Sequence, residues 1–250
     1  MNKTKEFLKL IGVLLGILVL TGLVGVLIGV LSLDLPNLVI ILISQLVFAI
    51  CAYFLIKRKK RIDGSNYIKD RGFLADSWKM IIIGLGTAGF GNILISLLVV
   101  ALGDNALVNQ SIDMVSNGIA ANSPMEKVLQ LFILVVLAPI VEEYLFRGYL
   151  FTELNKIFKS GLAIFINGLL FGLYHMNLLQ GINALFLGMV LALVYYSRKN
   201  IKDSILVHMA NNGIVMVSTY LIEYASIIGM ILIVSIFIGA YILYKIYKDR

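Results

Sequence analysis

Charge, cysteine and histidine are all scarce in this 250-residue chain. Asp, Glu, Lys and Arg make up 14% of it against 60% hydrophobic residues, at a mean hydropathy of +0.96. A soluble domain carries about 25% charged residues, so this balance excludes one and predicts a membrane protein. The single cysteine, Cys51, excludes an intramolecular disulfide and a cysteine-based metal centre. There are two histidines and no internal period of the length that marks a repeat architecture.

What the chain has in abundance is apolar runs. A bilayer span needs roughly 20 mostly apolar residues. About eight such stretches can be drawn, at 9–31, 36–56, 80–102, 126–145, 161–177, 181–197, 203–222 and 226–244. The N-terminal "MNKTKEFLKL" has the charge of a secretion signal, but the run after it is too long and lacks a small-residue cleavage site, so it reads as a first span that stays. With the N-terminus cytoplasmic, every Lys and Arg except Lys127 falls in an inner segment, as the positive-inside rule requires. The expectation is therefore an all-α, polytopic transmembrane bundle forming one integral-membrane domain over 1–250, with both termini cytoplasmic. The net charge of +7 sits in the inner joins, most densely in "KRKKRIDGSNYIKDR". Topology and anionic lipid headgroups account for it without nucleic acid. The 103–124 join is the one long outer connection, and reads as a spacer with a helix start at "NSPMEK".

Against this background "PIVEEYLFRGYL" (139–150) stands out. Ionisable groups in hydrocarbon cost at least ~2.5–3.5 kcal/mol and are functional candidates by default. Arg147 lies four residues after Glu143, on the same helical face, so these two read as an ion pair. Glu142, turned roughly 100° away, is left free to act. Both histidines also lie in apolar spans, His175 ending "FGLYH" and His208 opening "HMANN", with Asn212 one turn after His208. Water, a glutamate and two imidazoles inside a membrane suggest hydrolysis. In one scheme Glu142, partly buried, takes a proton from a water positioned by His175, while His208 and Asn212 donate to the oxyanion. In the other, Glu142, His175 and His208 hold a divalent metal such as zinc; no HExxH supports that choice.

The segments "EEYLFR", "FGLYH" and "HMANN", in this order on an eight-span chain, resemble the EExxxR, FxxxH and HxxxN/B motifs of the CPBP (CAAX protease and bacteriocin-processing, or Abi) family of intramembrane endopeptidases. The resemblance covers roughly 126–222. It implies endoproteolysis in a bacterial cell membrane, with Glu142, Glu143, Arg147, His175, His208 and Asn212 as catalytic residues. The glutamate-water scheme, needing no cofactor, is preferred to the metalloprotease one. The partner would be a membrane-associated peptide or protein substrate: a CAAX-type end, a bacteriocin or other peptide precursor, or a membrane-anchored regulator. The competing class is a non-catalytic bacteriocin-immunity or transport protein.

Other signals are discounted. "GLGTAG" (84–89) matches a dinucleotide fingerprint but lies within an apolar span, where small residues serve helix packing. Gly12, Gly16, Gly25 and Gly29 have a spacing that allows helix contact. Asn92, Gln130, Asn167 and Asn183 read as interhelical hydrogen bonders. One tension remains: His175 lies ~20 Å along its helix from the inner end and His208 only ~10 Å, so both reach one substrate only if boundaries shift or helices kink near Pro139, Gly161 or Gly172.

Overall fold

The computed structural model describes residues 2–31, 37–63, 76–118 and 123–250. Lys69 and Arg71 of the basic join lie outside these, as do 119–122 of the long outer join. Nine helices make up the described fold, with no strand among the described residues. They are α1 (Lys3–Val30), α2 (Asn37–Asp63), α3 (Ser77–Leu102), α4 (Ala106–Gly118), α5 (Pro124–Ile157), α6 (Ser160–Tyr174), α7 (Leu178–Arg198), α8 (Ile201–Tyr220) and α9 (Ala225–Lys248). Leu-, Ile- and Val-rich runs become helices because hydrocarbon offers the backbone no other hydrogen-bond partner.

Each of the eight expected spans coincides with one of these helices. Six runs are long and apolar enough to cross a bilayer on their own: α1, α2, α3, α5, α7 and Ile222–Lys248. The other two differ for identifiable reasons. α6 is apolar but only 15 residues long, and α8 has the length but carries Lys202, Asp203, His208, Asn211 and Asn212. The 103–124 join holds α4, a helix where the sequence reads as a spacer loop. Its Asp, Asn and Ser content hides an amphipathic pattern in which Val108 and Ser111, three residues apart, are both buried.

Contacts at the two ends fix the direction of the helices. At one end Lys59 pairs with Glu153 at 2.7 Å, Arg198 with Asp76 and with Asp203, each at 2.8 Å, and Phe7 meets the Phe158 ring at 5.5 Å. At the other, the Asn177 amide donates to the Ser111 carbonyl at 3.0 Å, tying α4 to the start of α7, and Lys127 lies over the Tyr220 ring. The Lys79 ammonium and the Arg198 guanidinium beside Asp76 hold its carboxyl below the usual carboxylate range.

"GLGTAG" is a packing strip. A Cβ on Gly84 would strike the Val207 carbonyl of α8, and one on Gly86 the Ser235 carbonyl of α9. α3 is thereby wedged against both helices. Gly12, Gly16 and Gly25 on α1 meet nothing within 4 Å.

Candidate active site

The 34-residue α5 carries the paired glutamates near its middle, and it is not a regular α-helix there. Two π-helical stretches, Phe132–Leu137 and Tyr144–Phe151, flank the α-helical Ala138–Glu143. Such widened turns gather at functional sites. The first has a local cause and a specific compensation. The Ala138 N–H bonds to the Ile133 carbonyl, five residues back. The next bond in that register would run from position 139 to Leu134, but Pro139 has no N–H. The Asn212 side chain supplies the missing donor, its Nδ2 lying 3.0 Å from the Leu134 oxygen.

This places Asn212 differently from the oxyanion donor expected of it. Its Nδ2 is committed to α5, and its Oδ1 accepts from Asn211 Nδ2 at 3.2 Å. A prediction follows. Asn212→Leu orphans a carbonyl and should destabilise the protein by about 1–3 kcal/mol, and a Pro139→Ala background, which restores a backbone donor, should at least halve that loss. Thermal unfolding in detergent measures it, and equal losses in both backgrounds would contradict the assignment.

Glu143 is fully buried and held at one oxygen. Its Oε1 accepts from Arg147 Nη1 at 2.6 Å and from His208 Nδ1 at 3.0 Å. The ion pair with Arg147 is the one the four-residue spacing suggests. The link to His208, 65 residues away, is not visible in the sequence. Arg147, also fully buried, donates its second terminal nitrogen to the Gly188 carbonyl at 2.9 Å and lies flat over the Phe171 ring, 4.6 Å from its centre. Gly188 must be small here, because a Cβ would press on Gly168 and Phe171 of α6. Asn167 adds a buried bond from its amide to the Phe146 carbonyl at 2.9 Å, next to Arg147 in the chain.

Glu142 has a different environment. It faces a cavity of about 320 Å³ with Gln45, His175, His208, Asn211 and Asn212 on its walls. His208 lies beside it, with Nε2 3.8 Å from Glu142 Oε2. Because Nδ1 of His208 gives its proton to Glu143, it is Nε2 that faces Glu142 and the cavity. His175 caps the end of α6, and Met176, at a left-handed φ of 49°, turns the chain away after it. Its Nδ1 lies 2.8 Å from the Phe171 carbonyl, which can only accept, so Nε2 of neutral His175 is left with a lone pair.

The two imidazoles flank one residue: the Phe171 ring meets His175 at 4.9 Å and His208 at 5.7 Å, both edge to face. Phe171 thus brings the two imidazoles together despite their different distances along α6 and α8, and α6 runs through Gly161 and Gly172 as one uninterrupted helix. Gly172 instead closes on Gly181 of α7. Asn211, which the motif passes over, is 97% buried on the cavity wall; its position next to Asn212 was the available signal.

Among the described residues no three His, Cys, Asp or Glu side chains converge to hold a metal ion. Glu142, His175 and His208, the residues of the metal-ligand scheme, line one cavity.

The candidate site is thus a carboxylate facing a cavity, beside an imidazole whose far side is anchored to a second, arginine-paired carboxylate, all inside a helical bundle. Residues 124–214 match the model of the family described as "Type II CAAX prenyl endopeptidase Rce1-like". The chain is 32% identical over 94 residues to the membrane-embedded CAAX protease MroQ of Staphylococcus aureus strain USA300, an alignment covering 35% of this chain and 38% of that protein. No solved structure matches it. The likeness to type II CAAX endopeptidases is thus carried by residues 124–214, and the chain spans 38% of the length of the curated relative it matches.

Proposed function

We propose that this protein is an intramembrane endopeptidase that hydrolyses a membrane-associated peptide or protein by glutamate-activated water. The observation that carries the reading is the division of labour between adjacent carboxylates. Glu143 is consumed by Arg147 and His208, while Glu142 faces the cavity with His208 Nε2 beside it.

In this mechanism Glu142 takes a proton from a water that His175 Nε2 holds by accepting its other hydrogen. The water oxygen attacks the scissile carbonyl carbon, and His208 Nε2–H donates to the oxyanion that forms. Collapse breaks the C–N bond, and Glu142 returns the proton to the departing amine nitrogen. Glu143 keeps His208 aimed, and Arg147 holds Glu143 in place.

The test is cleavage of a membrane-peptide library by purified protein in detergent, with products identified by mass spectrometry, with and without a strong chelator. Cleavage that survives chelation is expected. Loss on chelation that zinc restores would overturn the metal-free mechanism, and no cleavage by folded protein would favour the immunity or transport class.

A further inference from the structure

Next to the candidate catalytic cavity lies a second chamber of about 370 Å³, under α4. The two share Leu134, Gln180, Asn183, Asn211 and Asn212 as walls. α4 roofs it with Ser111, Ile112, Val115 and Ser116. No lining residue is charged, and the polar ones are carboxamides and hydroxyls. Carboxamides and hydroxyls both donate and accept hydrogen bonds, and so match the N–H and C=O groups that an extended, uncharged peptide backbone presents at regular intervals.

The end of the bundle where this chamber sits is equally defined. α4, the start of α7 and the end of α6 all lie at the end marked by the Asn177 to Ser111 bond. Lys59, Lys156, Arg198, Lys245 and Arg250 lie at the opposite end, Lys59 and Lys156 both paired with Glu153 and Arg250 over the Tyr196 ring. Basic ends are retained in the cytoplasm. We infer that the cavity is served from the non-cytoplasmic face, through the chamber under α4, and that this chamber binds an extended, uncharged peptide segment of the substrate. The inference rests on the protease reading for its occupant. Of the substrate classes above, it selects a peptide precursor or anchored regulator exposed on the outer face, and not a lipidated terminus held at the cytoplasmic one.

Accessibility tests this without any cleavage assay, so its failure is distinguishable from failure of the protease reading. In a Cys51→Ala background, Gln180→Cys puts the single thiol where the two cavities meet, and Ser116→Cys gives a second position should the first not fold. A membrane-impermeant sulfonated maleimide should label either in intact cells, whereas Lys248→Cys should react only after permeabilisation. Adding Val115→Trp, which fills the chamber, should slow Gln180→Cys labelling at least tenfold. A capped Ala-Ser-Ala-Ser-Ala peptide at millimolar concentration should slow it too, and the same peptide with two lysines should not. Labelling of Gln180→Cys only after permeabilisation would reverse the sidedness. A rate indifferent to Val115→Trp would remove α4 from the route, and equal effects of the two peptides, or none, would overturn the occupant.

Discussion

Glu142→Gln should lower peptide hydrolysis by about 10²–10⁴-fold, the usual contribution of a positioned general base, while leaving the protein folded. Glutamine keeps the volume and the hydrogen-bonding capacity of the side chain but cannot take a proton from water. Glu142 makes no hydrogen bond of its own within the bundle, and its contact with His208 is long, at 3.8 Å. Its stability role is accordingly small, and thermal unfolding should stay within about 1 kcal/mol of wild type, as for substitutions that break no buried network. Single-turnover rates on a peptide already shown to be cleaved make the comparison. A variant that cleaves at the wild-type rate would move the base to His175, whose free Nε2 faces the same cavity.

The largest effect on stability is expected from Arg147→Met. Breaking a buried ion pair by removing one partner costs about 3–5 kcal/mol, because the remaining charge is stranded. Here the stranded group is Glu143, fully buried and already lacking a partner at Oε2. For a chain of this size the loss lowers the unfolding temperature on the order of 10 °C. The double variant Arg147→Met, Glu143→Gln removes both charges and should recover most of that stability. It should not recover hydrolysis, because His208 then has no carboxylate to hold its Nδ1 proton. Unfolding temperature and cleavage rate, measured side by side, separate the two roles. If the double variant is no more stable than the single one, the ion pair is not what Arg147 contributes.

The parts of this architecture that were legible in the sequence are those with short-range causes. Apolar runs marked a helix at each of the eight expected spans, six of them in runs long and apolar enough to cross a bilayer, and the four-residue spacing of Glu143 and Arg147 anticipated their ion pair. What the sequence hid depends on register or on distant partners. His208 meets Glu143 across 65 residues, a contact no periodicity carries. Asn212 reaches Leu134 because a π turn and a proline together free that carbonyl, whereas an α-helical reading assigns the side chain to the cavity alone. α4 escaped notice because its polar residues resemble those of a loop, and only packing against α7 shows which of its faces is inward.

The brevity of α6 also bears on the lipid around the protein. Fifteen residues rise about 22 Å, short of the roughly 30 Å of hydrocarbon in a typical bilayer. Acyl chains beside the corner of α6 and α7 must therefore shorten, tilt or part to meet it, the usual response to a hydrophobic mismatch. A single-span peptide arriving at that thinned rim loses hydrocarbon cover at one end, and with it the penalty that keeps its backbone helical. Under the proposed function, membrane thickness becomes a determinant of which substrates unwind beside His175.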